Sequence, residues 1–388
     1  MTGTDNNKMP HPHDEEDDYS LPLSAKKERE AFERGENYHQ QQEQYTAAPP
    51  PPKEKEWKII PEAEDKITVK ALVEGAMMAA IAFVLALISV YIPLLNIVGI
   101  LLFPLPMAIL VLRHGVKMGT IGTVVVFVLT AVLLGIAQAF MLIIQGGVLG
   151  LFLGYCFRRR KGPLFSLGIA TMIAAVGTVA GITLSVFVSG LPFSSLTSQI
   201  EVMVNQYVAI FQAQGMESAL IPPGMTAKEF IILMTETMQR LLPAIMIIAS
   251  MGMALLCYII FSKILRRLRY DIPQLPPFPS WRIDWRFAWG LIVGLLCAWL
   301  GSRFSVMWLS NFGVNILYAF FPVLFICGLS LTVWLFKKLH FNMMVNILFI
   351  FLAMMFFNYV CMLLVLAGVF DPLVDFRSRL NKYMEGKS

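Results

Sequence analysis

From about Val69 onward the chain is a succession of apolar runs separated by short polar or basic clusters. A helix needs roughly 20 apolar residues to cross the hydrocarbon core of a bilayer, and the runs are of that order. The first covers about Val69 to Ile92 and is followed by the turn Tyr91-Ile-Pro-Leu-Leu-Asn96. A second, Ile97 to Leu112, contains Pro104 and Pro106 and closes on Arg113-His114-Gly115-Val116-Lys117. The block Met118 to Phe157 is about twice one span and divides near Gly135, giving a third and a fourth before Arg158-Arg159-Arg160-Lys161. A fifth runs from Leu164 to Val188 and a sixth from Leu241 to Phe261. Three more follow, Phe287 to Trp308, Val314 to Phe336 and Met343 to Phe370. The pattern predicts an all-α polytopic bundle of nine spans, or eight if one pair is cut wrongly.

Between the fifth and sixth spans lies a segment of a different kind. Ile200, Met203, Val204, Tyr207, Val208 and Phe211 recur at helical spacing with polar residues between them, which predicts an amphipathic helix. Pro222-Pro223-Gly224 ends it. Thr226-Ala-Lys-Glu229 then has the form of a capping box, opening a helix that continues into the sixth span with a kink at Pro243. Glu236 and Arg240 stand four apart on that helix and are placed to pair. The segment 190–240 reads either as a lid over an external vestibule or as an interfacial helix resting on lipid.

Residues 1–68 break the pattern altogether. They hold nine Lys/Arg and sixteen Asp/Glu, a net of −7, and include the acidic run Asp14 to Asp18, the Gln-rich run Gln40 to Gln44 and four prolines from Pro49 to Pro52. With so few aliphatic residues to bury, this leader is expected to be disordered. A short charged helix is expected over Ala25 to Arg34, and an extended spacer at the prolines. The leader reads as a solvated tail or as a docking tail for a cytosolic partner. No early hydrophobic stretch suits a signal peptide, so the first apolar run is read as a retained anchor. Three regions result: the tail 1–68, a membrane domain 69–380 and a C-terminal tail 381–388.

Composition agrees. Of the 388 residues 57% are hydrophobic and 15% charged, against roughly 45–50% and 25% in a soluble domain. The mean hydropathy is +0.65. These values exclude a nucleic-acid-binding domain, a secreted disulfide scaffold and most soluble enzyme folds, and make membrane lipid the chain's surroundings. Residues 69–388 carry the opposite charge to the leader, a net of +12. With the N-terminus cytosolic, fourteen basic residues fall in inside loops and only Lys228, Arg240 and Arg303 in outside ones, which sets the orientation by the excess of basic residues on the cytosolic side. Nine spans then put the C-terminus outside, against the preference of Arg377, Arg379, Lys382 and Lys387.

Catalytic and energy-coupling motifs are sparse. The chain lacks a GxxxxGK[ST] phosphate loop, an HExxH and a GxSxG. Its five histidines have no metal-ligand spacing, and its five cysteines are scattered through apolar stretches with no CxxC. No enzyme, cofactor or metal site is expected. Ionisable residues inside spans are functional candidates by default, but few occur: Glu74, one turn into the first span and paired in expectation with Lys70, and Arg303 near an external end. The deep polar residues are neutral. Gln138, Gln145 and Asn315, with Asn346 and Asn358, either line a ligand pocket or tie helices together at about 0.6 kcal/mol each. Glu236 and Arg240 are further candidates for the pocket.

Small residues form stripes. Ala76/Ala80 and Ala82/Ala86 are each spaced by four on the first span, a spacing that lets a second helix approach closely. Gly119, Gly122, Gly146, Gly147, Gly150 and Gly154 offer similar contacts in the third and fourth spans.

The stretch Pro104-Leu-Pro106 through Leu112-Arg113-His114-Gly115, the later Gly328-Leu-Ser330, and Gly368-Val-Phe-Asp371-Pro-Leu-Val-Asp375-Phe-Arg377 resemble the YybS-like family of bacterial membrane proteins, over about Val69 to Leu380. That family is similar at the fold level to the substrate-binding S components of energy-coupling-factor transporters, six-helix bundles that bind vitamins or metals. The resemblance implies that Ala76, Ala80, Ala82 and Ala86 meet a transmembrane coupling subunit, which works with separate ATPases. The chain departs from the pattern in having three spans beyond six and a long external segment. The same broad superfamily includes a rod-shape scaffold protein that binds partners and transports nothing. Two functions are therefore carried forward: an S-component-like solute-binding subunit of the bacterial cell membrane, and a non-transporting scaffold for envelope or division proteins.

Overall fold

The structure, a computed structural model, describes residues 68–190, 192, 194–216, 220–339 and 343–385, together with residues 25, 27, 29, 30 and 32. The chain divides into two units, Met1–Glu56 and Trp57–Ser388. In the first, the five described residues are helical, in line with the expected leader helix; the proline run lies outside the described residues.

The second unit is helical, with no β-strand among the described residues. Helix α1 (Val69–Tyr91) begins where Thr68 Oγ1 accepts from Ala71 N–H at 3.2 Å. A second crossing is made by α2 (Asn96–Leu102) and α3 (Pro104–His114), α3 opening on Pro104, where a missing N–H costs nothing. Gly115, at φ 91°, turns the chain into α4 (Val116–Leu134), and Gly135, at φ 88°, turns it into the next crossing. Both positions need the left-handed backbone that glycine adopts freely. That crossing consists of α5 (Ile136–Leu142), a π-helical turn over Ile143–Gly147, and α6 (Val148–Arg158). Helix α7 (Pro163–Ser189) is the fifth crossing.

These helices pack with backbones nearly touching. A Cβ on Gly150 would lie 2.3 Å from Pro104 O, one on Gly154 2.6 Å from Ala108 O, and one on Gly119 2.2 Å from Val111 Cγ2. The glycines of the third and fourth spans thus do what their spacing predicted. A core of Leu112, Leu149, Leu153, Phe157, Cys257 and Phe261 is completed by Tyr258, whose hydroxyl donates to Pro273 O at 2.9 Å.

Helix α8 (Ser194–Ala213) is the predicted amphipathic helix, and α9 (Ala227–Arg267) opens on the predicted capping box: Glu229 N–H donates to Thr226 Oγ1 at 3.3 Å and Thr226 N–H to Glu229 Oε2 at 2.8 Å. At 41 residues and about 1.5 Å rise per residue, α9 is about twice as long as a 30 Å hydrocarbon core requires. Its N-terminal part therefore stands clear of the membrane. There it packs against α8 through Val204, Val208 and Phe230.

The C-terminal helices form a second group. Helix α10 (Phe287–Arg303) and α11 (Met307–Leu339) make a close antiparallel hairpin, in which a Cβ on Gly301 would lie 2.2 Å from Ser310 N and one on Gly313 2.2 Å from Ala298 N. Then come α12 (Met343–Met355), α13 (Phe357–Val374) and α14 (Phe376–Glu385). Helices α11 and α13 cross closely: a Cβ on Gly328 would meet Leu364 O at 1.8 Å, and one on Gly368 would meet Leu324 O at 2.1 Å.

The last predicted span is divided into two helices, in keeping with the lower of the two expected counts. Met343 to Phe370 is not one continuous helix. It breaks at Phe356, where α12 ends and α13 begins. Among the described residues eight helical segments are long and apolar enough to cross a membrane, and α10 and α12 are shorter apolar helices. Arg158–Lys161, Lys263–Arg269 and Lys337–Lys338 mark one face of the bundle, here called the basic face, and Arg377 bonds to Pro279 O and Trp281 O in the connection that leaves it after α9. Arg377 thus lies on the side that its charge prefers.

Candidate functional site: a polar cavity inside the first helical group

A cavity of about 260 Å³ lies among α1, α2, α5, α7 and α9. It reaches from Ser89, near the end of α1 away from the basic face, to Ala174 and Thr178, midway along α7. Its walls mix apolar surface, including Phe103, Met141 and Met253, with neutral polar groups. No charged side chain lines it.

Two predicted pocket residues, Gln138 and Gln145, are on its wall. Gln145 belongs to the π-helical turn. Such turns recur at functional sites; here the neighbouring Gly146 and Gly147 are fully packed, a Cβ on Gly146 lying 2.5 Å from the Phe103 ring. Neither glutamine amide is tied to a protein hydrogen-bond partner among the described residues. Ser250, on α9, is 3% exposed, and its hydroxyl is buried without a partner. A lone polar group in such a place carries a desolvation cost of about 1–3 kcal/mol, and a ligand or an ordered water relieves it.

The other polar lining groups are partly engaged. Asn96 Nδ2 donates to Ser89 O, which leaves Asn96 Oδ1 free. Ser89 Oγ donates to Ala86 O at 2.7 Å and Thr178 Oγ1 to Ala174 O at 2.8 Å, so each keeps acceptor lone pairs for the cavity. Sequence reasoning missed Ser89, Asn96, Thr178 and Ser250. Each is an ordinary residue of an apolar helix until the fold gathers them.

The remaining predicted pocket residues lie elsewhere. Asn315 is not on the cavity wall; it is a wedge beside Pro243 of α9. Its Oδ1 accepts from Ala244 N–H at 2.9 Å and its Nδ2 donates to Arg240 O at 2.9 Å, engaging the two groups that an unbroken helix joins to each other. Arg240 and Glu236 are exposed on the part of α9 beyond the membrane, and Arg240 donates to Ser310 Oγ at 3.0 Å rather than turning back to Glu236. No residue of the segment 190–240 lines the cavity, so the expected lid does not cover it: α8 is occupied by its packing on α9.

The alanine stripe divides in two. Ala82 and Ala86 are completely buried with Phe103, Met107 and Val126, so they serve the approach of α1 to its own neighbours. Ala76 and Ala80 are exposed, beside Met77 and Val84. A one-residue break in the repeat, Ala80 to Ala82, rotates the second pair by about 200° from the first, which is why the two pairs face opposite ways.

Two ionic clusters sit at the basic face. Glu74 takes Arg113 Nη1 at 2.9 Å and His114 Nε2 at 2.7 Å rather than the predicted Lys70, locking the start of α1 to the end of α3. The second gathers Ser330, Asp371 and Arg377, from two of the three stretches that carried the family resemblance. Arg377, 8% exposed, donates to Asp371 Oδ2 at 3.1 Å, to Trp281 O at 3.0 Å, to Ser330 Oγ at 3.3 Å and to Pro279 O. Ser330 Oγ in turn bridges Phe278 O and Trp281 O, each at 2.8 Å. Asp375, at φ 51°, provides the left-handed turn that brings Arg377 back onto Asp371. Gly328 and Gly368 make the close crossing beneath. The cluster ties α11, α13 and the connection after α9 into one knot.

Fold and cavity together define a multi-pass helical membrane protein with a neutral polar chamber in its first helical group. Residues 80–372 match the family described as Predicted membrane protein (DUF2232), and the chain belongs to that family. It is also similar to the Uncharacterized protein YybS of Bacillus subtilis (strain 168), 27% identical over 216 residues, which is 54% of this chain and 66% of that protein. The chain thus covers just under two thirds of that relative's length. No solved structure matches it.

Proposed function

We propose that this chain is a solute-binding membrane subunit of the S-component kind, which takes up a small molecule with coupling and ATPase subunits supplied by other chains. The observation that carries this reading is the cavity: about 260 Å³, just under the roughly 300 Å³ at which drug-sized ligand sites begin, with an unpartnered Ser250 hydroxyl and two free glutamine amides on its wall. Sites of this form, apolar with a few convergent polar groups, are where small molecules bind between helices. The sequence carries no phosphate loop of its own, so energy from ATP has to come from partners. The exposed Ala76 and Ala80 offer the flat stripe that such a partner's helix needs. Excess basic charge on one face orients the N-terminus and the C-terminal end toward the cytosol of a bacterial cell.

Affinity purification of the tagged protein from its native membranes in mild detergent tests the reading. Co-purification of a membrane coupling subunit with ATPases is expected, and Ala76→Leu with Ala80→Leu should abolish it. Recovery of envelope or division proteins with no ATPase would instead place the chain among scaffolds.

A further inference from the structure

We propose that the cavity selects an uncharged molecule of roughly ten heavy atoms, about nine water volumes in size, that offers both a hydrogen-bond donor and an acceptor beside an apolar body. This inference rests on the solute-binding reading above and goes further by naming the class of solute. Charge sets the first requirement. None of the residues on the wall is ionisable. On α9 the nearest basic residue toward the N-terminus is Arg240, ten residues before Ser250 and so about 15 Å along the helix. It is held by Ser310. On α1 Glu74 is turned to Arg113 and His114 at the basic face, fifteen residues from Ser89 and about 22 Å away along the helix. A carboxylate or an ammonium entering this chamber would lose its hydration and meet no counter-charge, a penalty of several kcal/mol per ion.

Hydrogen-bonding capacity sets the second requirement. Gln138 and Gln145 each present an amide N–H₂ and a carbonyl oxygen, and Ser250 presents a free hydroxyl. Asn96 Oδ1 and the lone pairs of Ser89 and Thr178 add acceptors. The wall therefore has donors and acceptors in the same small space, and a molecule with only one kind leaves the other unsatisfied. Shape and softness come from Phe103, Met141 and Met253. A ring face is matched by an aromatic side chain, and thioethers adapt to irregular outlines. Small heterocycles and cyclic amides have these properties together.

The test uses the full-length protein in detergent and a panel of small heterocycles and amides, each in neutral, carboxylate and quaternary-ammonium versions, screened by ligand-observed NMR. Binders are expected among the neutral versions. Gln145→Leu should weaken them about tenfold, the loss of one hydrogen bond to a buried partner. Ser250→Ala, which removes a single oxygen and keeps the helix, should do the same by a smaller factor. Charged versions that bind as well as their neutral counterparts, and lose affinity in Gln145→Leu, overturn the solute class while leaving the cavity as the site. Binding that neither substitution changes overturns the site and the solute-binding reading together, and so does a folded protein that binds nothing on the panel.

Discussion

Replacing Arg377 by methionine tests the packing of the second helical group at its most demanding point. Arg377 and Asp371 are 8% and 4% exposed. The guanidinium satisfies Asp371 Oδ2 and Pro279 O, shares Trp281 O and Ser330 Oγ, and lies 5.8 Å from the centre of the Trp334 ring. Methionine fills much of the stem volume but none of these roles. Trp281 O keeps Ser330 as a donor, so the main orphans are the Asp371 carboxylate and Pro279 O. Removing one partner of a buried ion pair costs about 3–5 kcal/mol, and the loss expected for Arg377→Met is about 4 kcal/mol. Arg377→Lys keeps the charge but not the planar fork that reaches several acceptors at once, and should lose about half as much. The decisive variant is the double one. Adding Asp371→Asn to Arg377→Met removes the stranded charge, so the pair of changes should cost less than the sum of the singles by about 2 kcal/mol. Unfolding in mixed micelles with increasing SDS, followed by tryptophan fluorescence, gives the four values. A loss below about 1 kcal/mol for Arg377→Met, or strict additivity with Asp371→Asn, would refute a buried, mutually dependent pair.

Three further outcomes are expected. Gly328→Ala or Gly368→Ala should destabilise α11 against α13 by about 2 kcal/mol or more, since each methyl would fall well inside contact distance of a backbone oxygen; a cysteine pair across the crossing should cross-link more slowly in either variant. Asn315→Leu should leave Arg240 O and Ala244 N–H without their side-chain partner beside Pro243 and cost about 1–3 kcal/mol, with faster hydrogen exchange at Ala244 as the readout. Reporters placed in the connection 270–286 and after residue 385 should be accessible from the same side of the membrane, because Arg377 bonds directly to Pro279 O and Trp281 O.

Features set by local chemistry could be read before any fold was in view. The capping box at Thr226 and Glu229 and the close-packing glycines of α4 to α6 each rest on a few neighbouring residues, and each is present. Gln138 and Gln145 were also visible, because an amide inside an apolar helix stands out. What escaped depends on tertiary structure. The break at Phe356 lies in Ala-Met-Met-Phe-Phe-Asn, with neither Gly nor Pro to mark it. Asp371 and Arg377 are six apart, which is not a helical pairing distance, and they meet only because Asp375 adopts a left-handed turn. Asn315 had the polarity of a pocket residue, and only the three-dimensional position of Pro243 makes it a wedge. The alanine stripe looked continuous in sequence, whereas the odd step from Ala80 to Ala82 sends its two halves to opposite faces.

Native mass spectrometry of the protein released directly from its own membranes bears most closely on the chamber as a solute site. A retained small molecule is expected in the wild-type spectrum, and it should be depleted when Gln145 is replaced by Leu and Ser250 by Ala in a protein that remains folded. A wild-type spectrum with no bound species, or one whose adduct persists unchanged in the double variant, would contradict the account.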